Sequence, residues 1–305
     1  MARSSRRGRV SVARLFCFGL GFTGLAVARR LIAAGWSAAG TCRTAEKAAA
    51  LVQEGIAAHV FTGDEAMADA EHALAGTTLM VGSIAPGRSG DPALAHHRDD
   101  IVAAAASLER IVYLSTTAVY GDHGGRLIDE DVPVAPGSER ARRRVDAESA
   151  WRRLADQASV PLDILRLSGI YGAGRSQIEN LRAGRARRIV KPGQVFNRIH
   201  VEDIARVVEA LADAGLAGAV YNLADDEPAP PQDVVAYAAR LIGVEPPPEK
   251  AFADADMSEM ARSFYGECKR VSNARLKRRL GVRLAYPTYR EGLAAIAGRG
   301  TDRAG

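Results

Sequence analysis

Three glycines near the start of the chain have a spacing that could bind phosphate groups. They lie in Gly19-Leu20-Gly21-Phe22-Thr23-Gly24, after a short apolar run and before a helix-like stretch. In such a strand–turn–helix unit the first glycine permits the turn, the second lets the backbone approach a pyrophosphate, and the third allows close packing. The N–H groups that open the helix then face the phosphates. The pattern predicts a dinucleotide-binding turn.

The residues after the second predicted strand indicate which dinucleotide is bound. An acidic residue there accepts a hydrogen bond from the ribose 2′-OH of NAD, whereas an arginine accommodates the 2′-phosphate of NADP. The chain reads Gly40-Thr41-Cys42-Arg43-Thr44, without a carboxylate, so Arg43 predicts NADP rather than NAD. Asp64, after the third strand, is a candidate for a hydrogen bond to adenine, and a helix N-cap is the alternative.

Four further segments resemble motifs of the extended short-chain dehydrogenase/reductases, the NAD(P)-dependent epimerase/dehydratase family. They are Ser115-Thr116-Thr117-Ala118-Val119-Tyr120-Gly121, Arg166-Leu167-Ser168-Gly169-Ile170-Tyr171-Gly172, Asn197-Arg198-Ile199-His200-Val201-Glu202-Asp203-Ile204-Ala205 and Val220-Tyr221-Asn222-Leu223. With the glycine turn, the ordered matches span residues 14–297. The resemblance implies that the nicotinamide lies against Ser83 and Ile84 on one side and Ser168 and Ile170 on the other.

The catalytic motif departs from this family. Thr116 matches the catalytic Ser/Thr, but the positions of the usual tyrosine and lysine hold Arg140 and Arg144. The tyrosine must release its phenolic proton, whereas arginine keeps its charge at physiological pH, so Arg140 cannot serve as that base. Arg144 could still donate to ribose hydroxyls. The chain resembles the atypical subgroup with an incomplete standard active site, and His123 is a weak substitute.

Two arginine-rich segments are candidates for binding an anionic substrate. One opens the helix that begins near residue 138, and the other includes Arg188 and precedes Arg198. The resemblance implies that both lie near the cleft between two lobes, where convergent guanidinium groups suit a phosphate or carboxylate. Helix faces exposed to solvent are the alternative interpretation.

The regular alternation of short apolar runs and Ala-rich stretches predicts the elements that position these residues. It indicates an α/β, Rossmann-type doubly wound parallel sheet with a small irregular C-terminal lobe. We expect strands at 14–18, 36–41, 56–61, 78–81, 110–115 and 162–167. The predicted boundaries are a disordered basic arm at 1–13, a nucleotide-binding domain at 14–170, and a smaller substrate lobe at 171–305. Segments near 200–225 are expected to return to the main domain.

Composition excludes several other classes. Five arginines within the first 14 residues account for the net charge of +5, which argues against specific nucleic-acid binding as the main role. Three cysteines without paired spacing and isolated histidines predict no metal site and a reducing, cytoplasmic compartment. No run is long and apolar enough to span a membrane.

A homodimer through the helix after residue 138 remains open, because that helix is rich in arginine.

These observations predict an NAD(P)-dependent oxidoreductase or epimerase/dehydratase that acts on a small, anionic or nucleotide-linked metabolite. Whether it turns over substrate is left open by Arg140 and Arg144. The alternative is a binding protein without catalysis, which senses NADP(H) and regulates a partner.

Overall fold

The computed structural model describes residues 13–301. The predicted basic arm therefore lies outside the described residues, apart from Ala13. Within them the strands are β1 (Arg14–Phe18), β2 (Ser37–Cys42), β3 (Ile56–Val60), β4 (Leu79–Gly82), β5 (Arg110–Thr116), β6 (Leu127–Ile128), β7 (Leu162–Leu167), β8 (Gly169–Tyr171), β9 (Arg188–Val190), β10 (Arg198–His200), β11 (Val220–Leu223), β12 (Glu249–Ala251) and β13 (Arg270–Val271).

The helices cover both faces of a central sheet and build the smaller lobe. They are α1 (Phe22–Ala33), α2 (Ala45–Gln53), α3 (Ala70–Leu74), α4 (Pro92–Ala103), α5 (Glu139–Ala158), α6 (Gln177–Arg182), α7 (Val201–Asp213), α8 (Pro231–Leu241), α9 (Glu259–Phe264), α10 (Ala274–Leu280) and α11 (Tyr289–Thr301). A short 3₁₀ turn, Thr117–Tyr120, follows β5.

Seven strands form one parallel sheet in the order β11-β7-β5-β4-β1-β2-β3. This arrangement confirms the predicted doubly wound α/β fold, and the predicted strands agree with the observed ones to within one residue at each end. The runs are continuously apolar because helices cover both faces of a parallel sheet, so that both sets of alternating side chains are buried.

The alternation is visible in β1. Leu15 and Cys17 face α1 and α7 in one buried cluster, whereas Phe16 and Phe18 face α4 and α5 in the other. The two layers meet the sheet from opposite sides, and the chain crosses from one layer to the other between β3 and β4. A crevice therefore opens at the carboxyl ends of β1 and β4, where ligands bind in such sheets.

Helix α5 begins where its sequence provides a cap. The Ser138 hydroxyl accepts from the Ala141 N–H at 3.3 Å, and Glu139 adds a negative charge to the first turn. The buried side of the helix includes Trp151 and Leu154, which pack beneath the sheet. This packing holds the first turns of α5, with their arginines, beside the end of β5.

The smaller lobe combines α6, α8, α9 and α11 with two-stranded pairs formed by β8 with β10 and β9 with β12. Tyr171, Ile178 and Leu293 contribute to its own buried cluster. Residues 201–223 lie against the main sheet, because β11 pairs with β7 and α7 packs on α1.

Candidate active site

A cleft of about 2250 Å³ opens at the carboxyl ends of the central strands. Its walls are the loops that follow β1, β2, β3, β4, β5 and β7, together with parts of the smaller lobe. The cleft contains the predicted crevice between β1 and β4. It is the region in which the structure brings together most of the residues singled out from the sequence.

The glycine turn has the shape that a dinucleotide needs. Gly19 has a φ of +100°, and a Cβ on Gly24 would lie 2.3 Å from the carbonyl oxygen of Gly19. A Cβ on Gly21 would meet nothing within 4 Å, because this residue borders the cleft. Helix α1 starts here without a side-chain cap or an acidic residue in its first turn. The residues present therefore fit a pyrophosphate.

Two cationic side chains after β2 lie at the edge of the cleft that also contains the glycine turn. Arg43 and Lys47 both line the cleft, and Thr44 between them caps α2 by accepting from the Lys47 N–H at 3.3 Å. Sequence reasoning missed Lys47, although its position in the first turn of α2, four residues after Arg43, was a usable signal.

Asp64 has a different position from the one expected. It is exposed, does not line the cleft, and begins no helix, since α3 starts at Ala70 with Asp69 as its N-cap residue. The loop after β3 instead contributes Phe61 and Thr62 to the cleft wall.

The expected nicotinamide surfaces face the cleft from two loops. Ser83 and Ile84 follow β4, and Ser168 and Ile170 follow β7. The Ser83 N–H donates to the Phe18 carbonyl at 2.9 Å, which ties the loop to β1. The buried Ser168 hydroxyl has no hydrogen-bond partner within residues 13–301, as expected of a group that faces a ligand.

Thr116 ends β5 and lines the cleft. Its Oγ1 accepts from the Ala118 N–H at 3.2 Å, so its own hydroxyl proton is left to donate.

Arg144 also lines the cleft, but its guanidinium donates to the Tyr113 hydroxyl at 3.1 Å and to the Leu114 carbonyl at 2.8 Å. Arg140 lies 5.1 Å from the ring centroid of Phe264, which belongs to the smaller lobe. The two arginines thus occupy different environments.

Neither Tyr113 nor His123 lines the cleft as a candidate acid or base. Burial raises the pKa of Tyr113, which is fully buried in β5. His123 does not line the cleft, and its Nε2 lies 3.0 Å from the Tyr120 carbonyl oxygen. No histidine of the described residues lines the cleft. The arrangement offers hydrogen-bond donors and positive charge rather than a standard proton-transfer pair.

A buried ionic network supports the floor of the site. Arg166 donates to both carboxylate oxygens of Glu148, and Ser115 donates to Glu148 at 2.7 Å. The Arg166 guanidinium also lies 4.7 Å from the ring centroid of Tyr120, whose hydroxyl donates to Asn222 at 2.8 Å. The network links β5, α5, β7 and β11 below the loop that follows Thr116.

The smaller lobe adds further arginines to the cleft. Arg188, which was expected among them, is not one of them. Arg188 does not line the cleft, because it pairs with Glu249 at 2.6 Å on the opposite side of β9. Side chains alternate along a strand, so Arg187 is the residue that faces the cleft. The cleft-lining arginines of this lobe are Arg175, Arg185, Arg187 and Arg198.

Arg198 faces the cleft as predicted, and its guanidinium is held by the carbonyl oxygens of Phe196 and Ala229. Burial lowers its pKa. Asp225 lies near this guanidinium, and burial raises the pKa of the Asp225 carboxyl to about 8.

Two further charged residues of the cleft, Glu267 and Lys269, were not predicted. They pair with each other at 2.6 Å, and nothing in the nearby sequence marks them, since their other contacts lie far away along the chain.

Among residues 13–301 there is no cluster of side chains that could hold a metal ion. No helix in this range is long and apolar enough to cross a membrane.

Comparisons with known proteins agree with this geometry. The family model described as "NAD dependent epimerase/dehydratase family" matches residues 19–224. Protein YeeZ of Escherichia coli K12 is 30% identical over 288 residues, which cover 88% of this chain and 94% of YeeZ. A 3-diazoavenalumate denitrifying reductase from a Streptomyces species is 26% identical over 204 residues, 63% of this chain and 66% of that protein.

A solved structure extends the likeness to three dimensions. A functionally unknown conserved protein from Silicibacter pomeroyi is 47% identical, with a TM-score of 0.85 over 95% of this chain and 99% of that one.

Proposed function

Since this chain belongs to the NAD-dependent epimerase/dehydratase family of extended short-chain dehydrogenase/reductases, we propose that it is an NADP(H)-dependent oxidoreductase with an atypical active site. Its substrate in this proposal is a small anionic metabolite. The observation that carries the proposal is the joint presence of the glycine turn, Arg43 with Lys47, and Thr116 along one cleft. The name of the Streptomyces relative, a reductase, supports a reductive reaction.

The preference for NADP(H) rests on charge at the end of β2. Arg43 and Lys47 offer two cations to a 2′-phosphate, and the loop 42–44 contains no carboxylate that would accept from a 2′-OH. Charge-assisted hydrogen bonds to phosphate are strong, so each cation contributes to selectivity.

A bound nicotinamide supplies or accepts the hydride. The Thr116 hydroxyl would donate to the substrate oxygen, because the Ala118 N–H already occupies one of its lone pairs. Arg140 keeps its proton and would stabilise negative charge on that oxygen without acting as a base. The proton then comes from water or from the substrate itself, since neither arginine releases one.

The test uses NADPH deuterated at C4 and a panel of aldehydes and ketones that carry carboxylates. We expect deuterium in the product by mass spectrometry, and a loss of at least about 100-fold in kcat/KM for Thr116→Val with unchanged NADPH affinity. Thr116→Ser is the matched control, because it keeps the hydroxyl. NADPH binding without deuterium transfer over the whole panel would reject the oxidoreductase.

A second candidate is a binding protein that senses NADP(H) and regulates a partner. The observation that favours it is the position of Arg144, whose guanidinium is engaged by Tyr113 and Leu114 where the family has its lysine. For this candidate we expect NADPH binding to change a surface property, such as protease sensitivity, with no consumption of NADPH.

We also propose that the protein resides in the cytoplasm, and a homodimer remains one form that it could take there. The cysteines at 17, 42 and 268 are free, which supports a reducing cytoplasm. A homodimer through α5 would have to accommodate the exposed arginines of that helix.

A further inference from the structure

Residues 267–271 form a segment that we call the strap, which crosses between the two lobes beside the cleft. On the side of the main domain, the Cys268 N–H donates to Asp122 Oδ1 at 2.7 Å. The Cys268 carbonyl accepts from the N–H groups of His123 at 3.1 Å and Gly125 at 2.9 Å. This bond to the Cys268 N–H lowers the pKa of Asp122, which therefore stays ionised.

The smaller lobe holds the strap from the other side. Gln194 donates to the Glu267 carbonyl at 2.7 Å. Asn197 donates to the Lys269 carbonyl at 2.8 Å and accepts from the Val271 N–H at 2.9 Å. The backbone at Lys269 is therefore fixed from both lobes, as expected of a residue whose position matters for a ligand.

The Lys269 side chain is buried although it is charged. Its ammonium donates to the Gly121 carbonyl and to Glu267, both at 2.6 Å, and the residue is only 7% exposed. An ammonium has three N–H groups, so one remains beyond these two bonds. Burying such a pair stabilises a fold weakly, because desolvation offsets the attraction between the charges. A role in binding explains the burial better than a role in stability.

Lys269 lies at a useful distance from Thr116. Gly121, whose carbonyl accepts from the Lys269 ammonium, directly follows the 3₁₀ turn Thr117–Tyr120, so one short turn separates this contact from Thr116, and Thr116 and Lys269 line the same cleft. This spacing suits a small molecule whose reacting oxygen meets Thr116 while a charged end meets Lys269.

We propose that Lys269 binds a carboxylate of the substrate, and that Glu267 is an internal carboxylate which the substrate displaces. The identification of this ligand as a substrate rests on the oxidoreductase function proposed above. Glu267 already presents the same chemical group to the ammonium, and its side chain is 21% exposed at the cleft, so it can leave when a ligand carboxylate arrives. A single ammonium, without a second guanidinium bonded to Glu267 among the described residues, suits one carboxylate rather than a diphosphate.

The proposal makes the two members of the pair act in opposite directions. Removing the charge of Glu267 frees the ammonium, so a carboxylate ligand binds more tightly. Removing the charge of Lys269 leaves Glu267 to repel the ligand, so the carboxylate binds more weakly. A purely structural ion pair would show neither of these opposite effects on ligand affinity.

The experiment titrates the full chain with succinate, its neutral analogue succinamide, and inorganic phosphate, first without a nucleotide and then with NADPH. We expect Glu267→Gln to tighten succinate binding at least about fivefold and Lys269→Met to weaken it at least about tenfold. Succinamide should respond to neither variant. Lys277→Met is the matched control, because Lys277 pairs with Asp226 at 2.5 Å outside the cleft.

The double variant Lys269→Met/Glu267→Gln separates a loss of succinate affinity from a loss of folding stability. It removes both charges, so it should recover stability lost in Lys269→Met while succinate binding stays weak. Wild-type succinate affinity in the double variant, or no gain in Glu267→Gln, overturns the proposal. A larger gain for phosphate than for succinate overturns the carboxylate assignment. Failure to transfer a hydride, with these affinity changes intact, would reject only the oxidoreductase function.

Discussion

The Arg166 guanidinium donates to both carboxylate oxygens of Glu148, at 3.1 and 2.8 Å, and both side chains are almost fully buried. Ser115 and Arg152 complete the set of donors around this carboxylate. The pair joins α5 to β7 below the loop that carries Thr116. It therefore fixes the position of α5 relative to the end of β5 that borders the cleft.

Glu148→Ala should destabilise the fold strongly. Arg166 would keep its charge in a buried position without its partner, and breaking a buried pair in this way costs about 3–5 kcal/mol. The measurement is the free energy of unfolding in urea. Glu139→Ala, which removes an exposed pair with Arg143, should change this free energy only slightly. Equal costs for the two variants would contradict the structural role of Glu148.

Gly21→Ala should weaken NADPH binding and leave stability nearly unchanged. The new methyl group meets no protein atom within 4 Å and would stand in the space that a pyrophosphate requires. Overpacking of this kind costs about 1–3 kcal/mol, so we expect the dissociation constant to rise roughly tenfold. Fluorescence titration and thermal unfolding measure the two properties. Gly298→Ala, far along α11, is the control and should leave affinity as it was.

Arg43→Ala and Lys47→Ala should each lower the preference for NADPH over NADH. Loss of a charge-assisted bond to the 2′-phosphate weakens NADPH binding by roughly 10- to 100-fold, while NADH affinity should hardly change. Titration with both nucleotides gives the ratio. Arg29→Ala is a suitable control, because Arg29 pairs with Glu54 on the protein surface. A parallel fall in NADH affinity would argue against a 2′-phosphate site.

Asp225 should make the fold less stable as pH rises. Burial raises its pKa to about 8, above the unfolded value near 4, so the folded state binds the proton more tightly. The resulting stability is fully present below pH 4 and is lost as pH rises toward 8. The free energy of unfolding of wild type relative to Asp225→Asn should therefore fall by more than about 1 kcal/mol between pH 5 and pH 8. A constant difference would mean that Asp225 titrates normally.

Salt should favour self-association if two copies meet through α5. The exposed face of this helix carries Arg142, Arg152 and Arg153, and their mutual repulsion across an interface is screened as ionic strength increases. Light scattering after gel filtration at about 0.05 M and 0.5 M salt measures the mass. Arg153→Glu should shift the same equilibrium toward the dimer at low salt, and an unchanged mass under all these conditions would exclude this interface.

The sheet and the nucleotide half of the cleft could be predicted because their signals are local. Buried parallel strands have continuous apolar runs, and the glycine turn has all its functional positions within six consecutive residues. Arg43 follows the next strand directly. Such features depend on neighbours along the chain, and the structure places them where the sequence indicated.

The part of the cleft that the smaller lobe and the strap line could not be predicted in the same way. The direction of Arg188 depends on the phase of the short strand β9, and its three residues, Arg188–Val190, are too few for an apolar pattern to reveal that phase. Lys269 owes its position to Gly121, which lies 148 residues away, and to Asn197 in another lobe. Contacts of this kind arise only after the chain has folded.

The strap also determines when the protein acquires its complete cleft during synthesis. The glycine turn and Thr116 are translated first, but the strap that positions Lys269 comes near the carboxyl end. A nascent chain on the ribosome can form the nucleotide-binding sheet well before this segment emerges. The wall of the cleft that carries the glycine turn and Thr116 can therefore form before the wall that carries Lys269.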